Sequence, residues 1–145
     1  MMVYGQFNVF PRDRGLEILK MAHAALKPGG FLLLEVQSAE QIQKSGKKGP
    51  SWYSAQAGLF SEAPHVVLQE NFWHAEAGAS TTRFFVIDGR TGSASSYALS
   101  NEAYAEDELT DALRSAGFQD VERFSSLSGR TVAGDEDLPV VVARC

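Results

Sequence analysis

The feature that most constrains this chain is its opening, MMVYGQFNVFPRDRGLEILKMAHAALKPGGFLLLEV, which reads as strand, loop, helix, tight turn and strand with nothing before it. Met1 to Tyr4 are apolar or aromatic and run into Gly5, so the chain is expected to begin inside a buried strand. A parallel strand of that kind requires neighbours on both edges. Between Arg12 and Lys27, Leu16, Leu19, Ala22, Ala25 and Leu26 recur at spacings of three and four on one helix face, which Ile18 and Met21 widen. Pro28, Gly29 and Gly30 stop that helix, because proline cannot continue the ladder and glycine adopts the left-handed closing conformation. Phe31 to Val36 follows as an apolar run interrupted only by Glu35, too short for a helix and suited to a strand buried on both faces. Strand, helix and strand with short joints predict a right-handed crossover, the unit of a parallel sheet.

The pattern then loosens. From Gln37 to about Ala63 the chain is rich in Ser, Gly, Lys and Gln, and a long loop with a short helix near Tyr53 to Phe60 is expected. His65 to Ala75 and Thr81 to Asp88 are rich in strand formers and flank Glu76 to Ser80, a hairpin signal. After the turn Asp88-Gly89-Arg90-Thr91-Gly92, Ala94 to Tyr104 reads as a third strand with Tyr97 and Leu99 on one face, completing a meander. Glu106 to Ala116 is helical again, with Leu109, Ala112, Leu113 and Ala116 on one side, acidic residues in the first turn and Gly117 closing it. Ala105 is a weak N-cap, which costs about 1 kcal/mol relative to Ser or Thr. Phe118 to Phe124 and Leu138 to Ala143 are short strand-type runs separated by an expected exposed loop or hairpin connection.

Composition narrows the function. With 145 residues, 44% hydrophobic, and a net charge of -5, the chain is in the range of a single soluble globular domain. The acidic balance argues against a nucleic-acid partner, and Lys44, Lys47 and Lys48 lie among loop-forming residues. No apolar run reaches the roughly 18 residues needed to cross a bilayer, so a cytoplasmic location without a membrane partner is expected. Cys145 is the one cysteine, at the chain's end, where an activated nucleophile is rare. No histidines, cysteines or carboxylates stand at metal-ligand spacing, so no metal site is predicted.

The segment LKPGGFLLLE, preceded by a helix and by YGQFNVF, resembles the stretch around the fourth and fifth strands of class I S-adenosylmethionine-dependent methyltransferases. The run NFWHAEAGASTTRFFVIDGRTGSASSYALSNEAYAEDELTDALRSAGFQDV is similar to the distal half of that family's small-molecule members, where an antiparallel insertion precedes a helix and the final strand pair. The resemblance implies an α/β fold: a partial Rossmann-like methyltransferase sheet of distal strands with an antiparallel three-stranded insertion. Residues 1–145 would be one partial domain, with 1–37 and 105–145 as the Rossmann-like half and 62–104 as the insertion.

The family grips its cofactor through a glycine-rich turn after the first strand and an acidic residue ending the second, and this chain has neither. Gly29-Gly30 precedes a strand rather than a helix, and Gly89 and Gly92 fall in a turn between antiparallel strands. The resemblance therefore implies the C-terminal portion of an S-adenosylmethionine-dependent methyltransferase acting on a small molecule, with weak or no cofactor binding by this chain alone. The alternative is a non-catalytic binding or interaction module derived from the same scaffold. The naked edge at Met1 to Tyr4 predicts association, as a homo-oligomer through that edge or through the meander.

Ligands of open parallel sheets sit beyond the carboxyl ends of the strands. Tyr4, Gly5 and Gln6 occupy that position and are the candidate cofactor-binding residues, with Asn8, Trp73 and Tyr97 as candidate substrate contacts. His74, which can take a proton near neutral pH, is the candidate general base. The competing roles are local: Gln6 and Asn8 tying down their loop, Trp73 and Tyr97 packing, and His74 as a surface residue.

Overall fold

The computed structural model describes residues 1–128 and 138–145. By contact it divides into two compact units, one formed by Met1–Ile42 with Asn101–Cys145 and the other by Gln43–Ser100.

In the first unit, helix α1 spans Arg12–Ala25, strand β1 Phe31–Glu35, helix α3 Glu106–Ser115, and strands β6 and β7 Asp120–Phe124 and Val140–Arg144; helix α2, Ala39–Gly46, leads out of it. The sheet order is β1-β7-β6, and both pairings are antiparallel. Phe31 lies opposite Arg144 and Glu35 opposite Val140, while Asp120 lies opposite the same Arg144 on the other side. The central strand β7 is the one whose Val140, Val141 and Ala143 are all buried, as a strand covered on both faces demands. Phe7, Leu19, Leu34, Leu109, Leu113 and Phe118 complete the core; Leu19, Leu109 and Leu113 lie on the helix faces read from the 3.6-residue period, whereas Met21 and Ala25, read onto the α1 face, are exposed.

Met1 to Tyr4 departs from the expected buried strand. Met2 makes a parallel bridge to Leu34, donating its N–H to Leu33 O at 3.0 Å and accepting the N–H of Glu35 at 2.8 Å, but the pairing ends there. Met1 is 83% and Tyr4 78% exposed, and among the described residues no strand covers their outer side. The parallel relation inferred from the crossover is present, reduced to one bridge.

Two elements differ in the loose region. Where a loop is expected, Ala39–Gly46 forms α2: Ser38 Oγ accepts the N–H of Gln41 at 3.2 Å, a Ser-x-x-Gln start followed by good helix formers. Where a short helix is expected, Ser51–Ala55 forms strand β2, because Trp52 and Tyr53 suit an extended edge and strand β3, His65–His74, offers one to pair with. The second unit is thus a four-stranded sheet, order β2-β3-β4-β5, with β3 at His65–His74, β4 at Ala79–Asp88 and β5 at Ala94–Glu102 leading back to the first unit. The expected three-stranded meander is its last three strands. Asp88 Oδ1 accepts the N–H groups of Arg90 and Thr91, both at 2.8 Å, which closes the β4–β5 turn.

At α3, Ala105 supplies no side-chain cap, but Glu108 Oε2 reaches back to the Ala105 N–H at 2.8 Å. That reciprocal half of a capping box offsets part of the expected penalty. Most of the segment expected as an exposed loop, residues 129–137, lies outside the described residues. Among the described residues no helix is long and apolar enough to cross a membrane, and no group of three His, Cys, Asp or Glu residues could hold a metal ion.

Candidate functional site

The loop from Tyr4 to Val9 leaves the Met2 bridge at the carboxyl end of β1. Tyr4 and Gly5 have φ of 56° and 67°, two consecutive left-handed residues that reverse the chain before a 3-10 turn over Gln6–Val9. For tyrosine that conformation costs about 1 kcal/mol. It is held by Glu35, whose buried carboxylate accepts the Tyr4 N–H at 2.5 Å while its backbone oxygen accepts the Gly5 N–H at 3.1 Å. A Cβ at position 5 would lie 2.7 Å from Gln37 Cγ, so a larger residue there would have to displace the Gln37 side chain. Glu35 and Gln37 were not singled out from the sequence. The available signal was a carboxylate ending an otherwise apolar strand, a residue that cannot be buried without a partner.

Asn8 is fully buried and committed on three sides. Its Oδ1 accepts the N–H of Gln37 at 2.8 Å, and its Nδ2 donates to Glu102 O at 2.9 Å and to Gln37 O at 3.3 Å. These bonds join the loop to the segment after β1 and to the end of β5, so in this structure Asn8 positions backbone, while Tyr4, Gln6 and Val9 are the loop's exposed residues.

The remaining candidates lie on the four-stranded sheet. Cross-strand partners share a face, so Trp73 stands with Ser80, its partner on β4, and His74 with Ala79 on the other face. Tyr97 stacks on Phe60 at 5.6 Å, and Phe60 on Phe84 at 5.2 Å, placing Tyr97 on the Trp73 face. His74 therefore does not share a face with Trp73 and Tyr97. It is exposed, with Nε2 at 3.2 Å from Thr81 Oγ1, which in turn is 2.9 Å from Ser100 Oγ.

Among the described residues, two ionisable groups, Asp88 and Tyr104, are displaced from their ordinary range, and both lie outside this set. Backbone N–H bonds from Thr91 and Arg90 hold the Asp88 carboxyl below the usual carboxylate value. Burial pushes the Tyr104 phenol up, against the opposing pull of the Arg12 guanidinium over its ring at 4.8 Å.

The sequence matches no protein-family model and no curated protein. Solved structures do match the fold. An S-adenosylmethionine-dependent methyltransferase from Clostridium acetobutylicum superposes with a TM-score of 0.69 at 15% identity over 98% of this chain and 55% of its own. A methyltransferase from Streptomyces caelestis gives 0.68 at 17% identity over 99% and 58%, and a sugar N-methyltransferase from a Streptoalloteichus species gives 0.67 at 12% over 98% and 53%. Over 98–99% of its length the chain is thus similar in fold to part of these methyltransferases, and it spans a little over half the length of those structures.

Proposed function

We propose that this chain is the C-terminal portion of an S-adenosylmethionine-dependent methyltransferase acting on a small molecule, inactive as the isolated chain and cytoplasmic. The observation that carries the reading is the fold likeness over 98% of this chain and 55% of the neighbour's. It is supported by the edge at Met1 to Tyr4, where one parallel bridge is formed and the outer side is exposed. An upstream strand paired there would convert the bridge into an interior strand of a larger parallel sheet.

When bound, S-adenosylmethionine supplies a methyl group on a sulfonium centre for an in-line displacement. The residues present do not fit the whole of it. A Cβ at Gly5 would meet Gln37 rather than open space, the Glu35 carboxylate is engaged by Tyr4, and the positive-φ glycines Gly29, Gly78, Gly92 and Gly117 do not open an α-helix. What this chain contributes is narrower: Glu35 fixes the Tyr4–Gly5 reversal, Asn8 anchors the loop, and the Tyr4 ring and Gln6 side chain are left exposed at the strand ends, where an aromatic face can meet a cationic centre. The small-molecule substrate fits a neighbour that is a sugar N-methyltransferase, with Trp73 and Tyr97 as its flat contacts; His74, on the opposite face of the sheet, does not reach the same molecule as its base.

Calorimetry with S-adenosylhomocysteine tests the chain directly. Weak or no binding is expected, and submicromolar affinity would overturn the division of labour. The coding sequence upstream in the same frame is the second test: a strand followed by a Gly-x-Gly-x-Gly turn is expected. Its absence favours the other reading, a binding module built on the same scaffold.

A further inference from the structure

The face of the four-stranded sheet that carries His74 presents an apolar row crossing three strands. Trp52 lies opposite Leu68 on β3, and Leu68 opposite Phe85 on β4. Trp52 is 70%, Leu68 40% and Phe72 39% exposed, and Trp52, Leu68 and Phe85 line a shallow concavity of about 380 Å³ together with Pro50 and Glu70. Contiguous apolar surface of this kind on a soluble chain marks a contact site.

Its charges are satisfied within it. Arg83 donates to Glu70 Oε2 from Nε at 3.0 Å and from Nη2 at 2.5 Å, and its guanidinium lies 5.2 Å from the Phe72 ring and 5.1 Å from the Phe85 ring. The face is thus locally neutral on a chain of net charge -5, whose surface otherwise repels a second copy. Size is graded too. The Thr81–Ser100 contact fixes which side chains of β5 stand on this face, and by the two-residue period they are Ser96, Ala98 and Ser100, all small and exposed. One margin of the sheet is bulky and the other is flat.

We propose that this face is an isologous contact between two copies of the chain, related by a twofold axis running along the strands. That operator lays β2 of one copy over β5 of the other, so Trp52 covers the Ser96–Ala98 row of its partner and the Leu68–Phe85 rows meet at the centre. The four strands, of 5, 10, 10 and 9 residues, offer about 500 Å² per copy, below the standard size for a specific contact, so the dimer is a weak, micromolar and concentration-dependent one.

Sedimentation equilibrium of the 145-residue chain tests it. A monomer–dimer equilibrium in the micromolar range is expected, weakened at least about tenfold by Trp52→Glu and also by Ala98→Glu, a buried unpaired charge being the cause in both. Far-UV circular dichroism and melting temperature accompany each variant, and Ala98 is exposed in the single copy, so its variant keeps the fold. A chain that stays monomeric throughout overturns the proposal. Dimerisation untouched by either substitution also overturns it, and points instead to the Met1–Tyr4 edge or another surface. Loss with Trp52→Glu alone does so as well, since the twofold arrangement requires both margins.

Discussion

The two units use apolar residues in opposite ways. In the first, Phe7, Leu19, Leu34, Leu113 and Val141 are fully buried. In the second, Val67 is the strand residue reduced to zero exposure, and Trp52, Tyr53, Leu68, Phe72, Tyr97 and Leu99 all remain substantially exposed. Similar residue types thus hold one unit together and furnish the surface of the other. Equivalent substitutions in the two should then have unequal effects, and the contrast can be broken by measuring them in pairs.

The largest difference is expected at leucine. Leu34 is fully buried at the Met2 bridge, so Leu34→Ala should lose about 3 kcal/mol from transfer and cavity terms together. Leu68→Ala, at 40% exposure, should lose less than about 1 kcal/mol. Urea unfolding followed by circular dichroism reads both. The comparison is made at submicromolar chain concentration, where the proposed dimer is dissociated, and comparable losses there would mean that the Leu68 face is covered in the single copy.

Asparagine gives the next contrast. Removing the Asn8 side chain leaves Gln37 N–H and two carbonyls without their partner in a buried place, and about 2 kcal/mol is expected. Asn71 accepts from Gln69 Nε2 at 3.1 Å and Thr82 Oγ1 at 2.9 Å on a half-exposed strand where water can substitute, so Asn71→Ala should change stability by less than about 0.5 kcal/mol. Asn8→Asp sharpens the point: it keeps the acceptor for Gln37 but sets a carboxylate against two carbonyl oxygens, and should destabilise more than Asn71→Asp.

How far the sequence discloses this architecture follows from the same contrast. The first unit is legible because its helices and strands carry period and stop signals: Leu19, Leu109 and Leu113 fall on the faces that the spacing marks. The second is less so. Ser51–Ala55 is a strand because β3 presents an edge to it, a non-local cause that no window of residues contains. The Ser38-x-x-Gln41 start of α2 is a local signal, masked by the polar residues around it. In the candidate site, position along the fold was readable from the strand order, since Tyr4, Gly5 and Gln6 do fall at a carboxyl strand end. The partners were not: the Glu35 carboxylate under Tyr4 and the Gln37 backbone around Asn8 are 31 and 29 residues distant in sequence. His74 was separated from Trp73 and Tyr97 by the simplest rule available, the alternation of side chains along a strand.

The smallest effect, and the one with a distinctive pH dependence, concerns tyrosine. The Tyr104 hydroxyl is buried with no hydrogen-bond partner among the described residues; its ring centroid lies 5.4 Å from that of Phe7, and a Cβ at Gly15 would meet the hydroxyl at 2.9 Å. An unmet buried donor is destabilising, so Tyr104→Phe should stabilise the chain by about 1 kcal/mol, whereas Tyr97→Phe, exposed on the open sheet, should be neutral. Burial raises the Tyr104 pKa above its ordinary 10.0, so the folded chain retains this proton when the unfolded chain has begun to lose it. Stability linked to that proton is fully present below pH 10 and falls as pH rises from there through the folded value. Tyr104→Phe removes that portion of the alkaline loss, and Tyr97→Phe leaves it in place. Thermal melts of the three proteins between neutral pH and pH 11 read both effects, and parallel alkaline decline in all three would show that the Tyr104 phenol reaches water.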